Sequence, residues 1–268
     1  MPWVEINGTD IYYQAEGSGQ PLVFLHGNSS CGEAWFQQFA AFRNRFRCIA
    51  YDSVNHGHSS NSPRDEEEPD RADELQAFLQ AIGIERPVLA GNSMGGDTIL
   101  RWAARHPSRA AALIPSGMGL MDASTPGLSQ EPLDLETLFL PVGDSLTEGF
   151  KQRQPRMFER YLRIRSTATR LEALRHPRSR GRTLAERATL GQRIGGVTSP
   201  MLIVVGELDR LRPACERLHA ALPHAEYRVI AGAPHNVYYE TAAEYNAVVS
   251  DFLSRVLQPA GAAAGRGA

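Results

Sequence analysis

Residues 88–98 read Val-Leu-Ala-Gly-Asn-Ser-Met-Gly-Gly-Asp-Thr, and this stretch decides the fold. The apolar residues 87–90 predict a buried strand, and the helical spacing of the apolar residues after 98 predicts a helix. Between them lies Gly91-x-Ser93-x-Gly95, a turn so tight that side chains at the glycines would collide with neighbouring backbone. Such a turn holds the Ser93 hydroxyl out at the carboxyl edge of a sheet. A plain glycine-rich strand–helix turn is the alternative interpretation.

The composition indicates one large α/β domain with an insertion, or two small domains. The chain has 268 residues, 42% of them hydrophobic, which is enough for a large core. A net charge of −2 favours no nucleic-acid or membrane partner. Cys31, Cys48 and Cys215 match neither a disulfide framework nor a metal site, so a reducing, cytoplasmic location fits best. We expect no signal peptide and no transmembrane span.

Strands that alternate with helices predict a mainly parallel sheet with helices on both faces. This α/β pattern covers residues 1–119 and 198–258. Residues 120–197, which several prolines interrupt, are predicted to form a mainly helical insertion, and the Ala/Gly-rich residues 259–268 a disordered tail. Ligands of such sheets bind at the carboxyl ends of the strands. The chemically capable residues at those ends are His26, Asn28, Asp52, Ser93, Asp209 and His235.

A serine nucleophile needs a base, usually histidine, and the histidine needs a carboxylate that fixes its tautomer. Among eight histidines we favour His235, because it follows the last predicted strand in a Gly/Pro loop. For the carboxylate we favour Asp209, which follows the strand at residues 201–205, over its rival Asp122. The structural alternatives are a loop histidine held by backbone hydrogen bonds and an aspartate that caps a helix.

The remaining candidate site residues would donate hydrogen bonds to the oxyanion or contact the substrate. The expected oxyanion donors are the backbone N–H groups of Met94, which follows the nucleophile, and of Asn28. Residues 120–197 would form a wall of the pocket if they cover the carboxyl edge of the sheet. The candidate substrate contacts are Phe139, Phe158, Tyr161 and Asn236.

Five motifs occur here in the order found in the α/β-hydrolase family, which the chain resembles over about residues 3–257. They are His26-Gly27, Asp52 with Gly57-His58-Ser59, the turn at residues 91–96, Gly206-Glu207-Leu208-Asp209 and His235. The resemblance implies an α/β-hydrolase fold, with a mostly parallel eight-stranded sheet and a helical cap inserted after strand six. The insertion at 120–197 matches that position. The chain departs from the usual pattern at residues 53–56 and at Pro234, where a glycine is common.

The resemblance also narrows the reaction. Haloalkane dehalogenases and epoxide hydrolases of this family use aspartate at the turn, whereas this chain has Ser93. The turn is similar to that of the meta-cleavage-product carbon–carbon hydrolases, but those usually carry tryptophan where Asn236 stands. Residues 26–30 resemble the oxyanion loop of serine-type acyl-homoserine lactone hydrolases and related esterases. We therefore favour hydrolysis of a small carboxylic ester or lactone through an acyl-enzyme, with carbon–carbon hydrolysis second.

The sequence leads to three further expectations, on cofactors, on oligomeric state and on charge. We expect no cofactor and no metal, since the pair His56-x-His58 has no acid-rich continuation. A non-catalytic small-molecule receptor on the same fold is an alternative, and the chain is expected to be a monomer or a homodimer. Residues 151–193 carry thirteen basic and three acidic side chains. A basic pocket wall would attract anions, but a solvated face, partly paired with the acidic residues 65–74, is the favoured interpretation.

Overall fold

The computed structural model describes residues 3–62, 70–122, 145–168 and 184–257, with only the backbone of 184–188. Residues 65–69, Phe139 and the tail at 259–268, for which the sequence made predictions, lie outside these ranges. The strands are β1 (Trp3–Ile6), β2 (Thr9–Glu16), β3 (Pro21–Leu25), β4 (Arg47–Tyr51), β5 (Val88–Asn92), β6 (Ala112–Ser116), β7 (Leu202–Gly206) and β8 (Glu226–Ile230).

These strands form one eight-stranded sheet in the order β1-β2-β4-β3-β5-β6-β7-β8. Only β2 runs antiparallel to its neighbours β1 and β4, and the other pairs are parallel, which confirms the predicted mostly parallel sheet. After β3 the chain adds β4 on one side, and it then crosses back to add β5 on the other. The loops after β3 and β5 therefore diverge at a switch point, where such sheets bind ligands.

The helices cover both faces of the sheet, as the sequence predicted. They are α1 (Phe36–Phe42), α2 (Arg71–Ala81), α3 (Met94–Arg105), α4 (Glu148–Arg153), α5 (Pro155–Ala168), α6 (Leu184–Ile194), α7 (Arg212–Ala221), α8 (Val237–Glu240) and α9 (Ala242–Val256). Strand β3 shows why two layers are needed, because its side chains are buried on both sides. Val23 and Leu25 lie in the core beneath α2 and α3, whereas Leu22 and Phe24 lie in the core beneath α1 and α9.

Two local structures differ from the sequence interpretation. The spacing of the apolar residues Trp35, Phe36, Phe39 and Phe42 predicts one helix over residues 33–46, whereas the structure has a 3₁₀ turn at Gly32–Trp35 followed by the shorter α1. The 3₁₀ turn places the Trp35 ring in the core, where its centroid lies 5.1 Å from that of Phe24 and 4.1 Å from that of Tyr238. The second difference is α8, a single helical turn directly after His235 that the sequence did not predict.

The described part of the segment between β6 and β7 contains three helices, α4, α5 and α6, together with non-helical stretches. Helices α4 and α5 pack beside the 3₁₀ turn and α8, since Phe150, Tyr161 and Ile164 share the core of that face. Helix α6 lies on the opposite face, where Leu190 and Ile194 join the core beneath α3. Among the described helices, none has the length and apolar character that crossing a bilayer requires.

Candidate active site

Ser93 occupies a strained turn between β5 and α3. Its backbone has φ 54° and ψ −113°, a conformation that costs a non-glycine residue roughly 1–3 kcal/mol. The Ser93 N–H donates to the carbonyl of Ser116 at 2.9 Å. A Cβ on Gly91 would come within 2.7 Å of the Gly95 carbonyl, and one on Gly95 within 2.2 Å of the Leu25 carbonyl oxygen. As the sequence predicted, only glycine permits this packing, which holds Ser93 at the carboxyl edge of the sheet.

His235 and Asp209 meet on the loops that follow β8 and β7. The imidazole Nδ1 lies 2.9 Å from Asp209 Oδ2, and the Asp209 side chain is fully buried. Asp209 Oδ1 accepts the Leu211 N–H at 2.9 Å, so both oxygens have partners. The backbone at Gly117 closes against the pair, because a Cβ there would lie 3.0 Å from both side chains. A histidine held this way through Nδ1–H presents Nε2 as a base.

The other acidic side chains considered for this role have different partners. Asp122, the sequence rival of Asp209, lies 3.3 Å from Arg217 Nε and is half exposed. Glu207 accepts the backbone N–H of Gly232 at 2.8 Å. Asp209 is thus the carboxylate beside His235 in the part of the chain that the structure describes.

Three contacts bring the loops of Ser93 and His235 together. Ser116 accepts the Ser93 N–H, and the next residue, Gly117, packs against His235. Asn92, which precedes Ser93, donates its Nδ2–H to Oδ1 of Asn236, which follows His235, at 2.9 Å. The loop after β3 also reaches this point, because a Cβ on Gly27 would lie 3.6 Å from Ser93 Cβ. Asn28 follows in that loop, and Met94 begins α3.

His26 links the loops that follow β3 and β4. It is 1% exposed, its Nδ1–H donates to the Gly27 carbonyl at 2.8 Å, and its Nε2 accepts the Ser53 N–H at 3.0 Å. Burial lowers the pKa of His26 to about 4, against the opposing charge of Asp52, so the ring is neutral at pH 7. The sequence placed His26 among the chemically capable residues at the carboxyl ends of the strands, but it gave no sign that the side chain links two loops.

Asp52 organises the loop after β4. Its Oδ1 accepts the Gly32 N–H at 2.7 Å, and its Oδ2 accepts the His58 N–H at 2.8 Å. His56 of the same loop lies 3.4 Å from the side-chain oxygen of Asn28. Within the described ranges, no three His, Cys, Asp or Glu side chains are grouped so that they could hold a metal ion.

The structure brings two of the four candidate substrate contacts together. Tyr161 of α5 and Asn236 are both buried, and the Asn236 Nδ2–H donates to the Tyr161 hydroxyl at 2.9 Å. Phe158 lies one helical turn earlier and is half-buried, with Lys151 Nζ 5.7 Å from its ring centroid. Phe139 lies outside the described residues.

Two of the four arginines of α5 lie against the 3₁₀ turn and α1. Arg160 and Arg163 lie 3.4 and 3.7 Å from Glu33 Oε1. The Arg160 guanidinium also lies 3.5 Å above the ring of Phe36. These contacts pair part of the basic segment with Glu33, and most of the acidic stretch at 65–74 lies outside the described residues.

Comparisons of the sequence and of the structure with known proteins both point to the same fold. A family model described as "alpha/beta hydrolase fold" matches residues 20–189. A 2-hydroxy-6-oxononadienedioate/2-hydroxy-6-oxononatrienedioate hydrolase of Paraburkholderia phymatum is 29% identical over 91% of both chains. The crystal structure of an enol-lactonase from Burkholderia xenovorans LB400 superposes with a TM-score of 0.81 at 22% identity, covering 94% of this chain and 100% of that chain. An N-acyl homoserine lactone degrading enzyme gives a TM-score of 0.73 at 26% identity, with coverages of 94% and 100%.

The lowered pKa of His26 predicts a pH dependence of stability. Below pH 6.5 the unfolded chain binds a proton at this position, and the folded chain does not until pH falls to about 4. The stability that neutral His26 contributes is therefore complete above pH 6.5 and is lost as pH falls to about 4, by roughly 3 kcal/mol. Urea unfolding of wild type and His26→Gln at pH 7.5, 5.5 and 4.5 measures this loss, and the variant should show a flatter slope.

The exposed His224 provides the control. His224→Gln should retain the wild-type dependence of the unfolding free energy on pH. Equal slopes for His26→Gln and wild type would contradict the assignment of His26 as a buried neutral histidine.

Proposed function

Because the chain belongs to the alpha/beta hydrolase fold family, we propose that it is a serine hydrolase that cleaves a small carboxylic ester or lactone. The observation that carries this proposal is the hydrogen bond between His235 Nδ1 and the buried Asp209, next to a serine in a strained strand–helix turn. These are the parts that acyl transfer to serine requires.

In the proposed reaction, Ser93 Oγ attacks the substrate carbonyl while His235 Nε2 takes its proton. Asp209 holds the Nδ1–H tautomer and stabilises the imidazolium that forms. His235 then gives the proton to the leaving alcohol oxygen, and an ester of Ser93 remains. His235 next deprotonates a water molecule, which attacks this acyl-enzyme, and as the second tetrahedral intermediate collapses His235 returns the proton to Ser93 Oγ and the acid is released.

The backbone N–H groups of Met94 and Asn28 are the proposed donors to the oxyanion. Met94 is the first residue of α3, and N–H groups in the first turn of a helix have no partner within that helix. Such a position also favours negative charge through the helix dipole. Asn28 follows Gly27, which lies against Ser93, so the loop after β3 flanks the other side of the serine.

The described part of the cap supports a neutral substrate. Tyr161 and Ile164 of α5 are buried beside the core, and the basic side chains at 160 and 163 are engaged with Glu33. These two arginines share the single carboxylate of Glu33, so part of the positive charge of α5 is offset, which favours a neutral acyl chain over an anionic one. Phe158 and Phe139 remain proposed contacts of that chain.

Hydrolysis of a carbon–carbon bond is the second candidate. It is favoured by the turn at residues 91–96 and by the relative from P. phymatum, which is a hydrolase of an oxodienedioate. This reaction needs a proton delivered to carbon before or during attack. An ester or lactone needs a proton only on the leaving oxygen, which His235 supplies alone. The ester or lactone is therefore the simpler match to the groups near Ser93.

The substitution Asp209→Asn tests whether Asp209 is the carboxylate that supports His235 as the base. Asp209→Asn should fold normally but lose about 10³–10⁴-fold in kcat, because the amide stabilises the wrong imidazole tautomer. The matched control is Asp122→Asn, which removes the half-exposed carboxylate beside Arg217 and should retain wild-type turnover. An inactive Asp122→Asn with an active Asp209→Asn would place the carboxylate after β6 instead.

A substrate panel distinguishes the two reactions. It contains p-nitrophenyl esters, a homoserine lactone with a neutral acyl chain, a carboxylate-bearing analogue of each, and a 2-hydroxy-6-oxo-dienoate. We expect the highest kcat/KM for a neutral ester or lactone, with little dependence on ionic strength. Preferred cleavage of the dienoate would establish the carbon–carbon reaction, and a preference for the anionic ester that weakens with salt would establish a basic pocket wall.

A further inference from the structure

We propose that Asn236 is a positioning residue that sets the location of His235 by connecting the strand before Ser93 to cap helix α5. The proposal rests on the proposed function. It assigns Asn236 and Tyr161 to the interior of the protein, where they act on turnover without contacting the substrate.

Three side chains from distant parts of the sequence form the connection. Asn92 at the end of β5 donates from Nδ2 to Asn236 Oδ1 at 2.9 Å, and Asn236 Nδ2 donates to the Tyr161 hydroxyl at 2.9 Å. Asn92 is 1% exposed, Tyr161 3% and Asn236 8%. Buried hydrogen bonds of this kind have no competing water, so they hold their partners in one arrangement.

The backbone of Asn236 is also held. Its N–H donates to the carbonyl of Ser145 at 3.2 Å, where the described part of the cap resumes. Its carbonyl accepts the N–H groups of Tyr239 and Glu240 at 3.0 and 3.1 Å, which begins α8. Asn236 is therefore restrained from β5, from the cap and from α8. His235 is the preceding residue, so these restraints limit where its imidazole can lie.

Because these side chains are buried within the protein, we assign them to positioning His235 and not to contact with the substrate. Both polar atoms of the Asn236 amide are bonded to protein groups, and the Asn92 amide oxygen is inaccessible to solvent. Among the described residues, the Asn92 side-chain amide forms its hydrogen bond with Asn236. A displacement of about 1 Å at a reacting group can reduce turnover on the order of 100-fold, so loss of this connection should appear in kcat.

Helix α5 offers a matched control within the same interface. Tyr239 donates its hydroxyl to the Met157 carbonyl of α5 at 2.9 Å, and it packs edge-on against Tyr161 with ring centroids 5.2 Å apart. Tyr161→Phe and Tyr239→Phe each remove one buried hydroxyl at the contact between α5 and α8, and Tyr161→Phe also removes the longer 3.5 Å contact with Arg165 Nη1 inside α5. Only the first of them removes a hydrogen bond to Asn236.

The test is a double-mutant cycle on p-nitrophenyl acetate and p-nitrophenyl butyrate. Tyr161→Phe should lower kcat about tenfold for both esters with KM nearly unchanged, and Tyr239→Phe should stay within about twofold of wild type, with comparable Tm for the two variants. In an Asn236→Ala background, Tyr161→Phe should have no further effect, because it acts through Asn236. If Asn236→Ala does not fold, Asn92→Ala breaks the same connection from its other end.

Equal effects of Tyr161→Phe and Tyr239→Phe would overturn the proposal. A change confined to KM, or one specific to the longer ester, would make Tyr161 a substrate contact. Additive effects in the cycle would likewise overturn it. Ser93→Ala belongs in the same series: activity that survives this substitution would refute the proposed function, whereas failure of the positioning proposal leaves Ser93→Ala inactive.

Discussion

The close packing of β5, α3 and β3 around Ser93 is the constraint on which the site depends. Gly91 touches the backbone at Gly95, and Gly95 touches the Leu25 carbonyl, so the strand turns into the helix within a single residue. Ser93 adopts positive φ because the surrounding backbone leaves no other path. The strain costs stability, and the two-faced core of the sheet offsets it. A looser turn would bury the hydroxyl or direct it away from the switch point.

The remaining groups reach Ser93 because parallel strands end at the same edge of the sheet. Asp209 and His235 come from neighbouring strands β7 and β8, and the loop after β6 closes over both. Buried polar side chains also fix the loops: neutral His26 joins the loop after β3 to the loop after β4, and Asn236 joins the loop after β8 to β5. Thus the shared edge of the sheet brings these side chains close together, and buried hydrogen bonds fix the orientation of the loops that carry them.

Local patterns were sufficient for much of the fold. Asn-Gly between two short β-prone runs is typical of a hairpin turn, and Asn7-Gly8, both with positive φ, does join β1 to β2; the turn at Ser93 likewise followed from its glycines. Contacts between residues far apart in sequence could not be predicted. Asn92 and Asn236 are separated by 144 positions, so no periodicity or spacing indicates their hydrogen bond. The same limit applies to His26, because its partner Ser53 lies on another loop, 27 positions away.

Covalent labelling tests the central claim, that Ser93 is the activated nucleophile, most directly. A fluorophosphonate should label the wild-type chain, and peptide mapping should place the adduct on Ser93. Labelling of Asp209→Asn should be slower, because the base is less effective, and labelling of Ser93→Ala should be absent. Undiminished labelling of Ser93→Ala, or an adduct at another residue, would contradict the account.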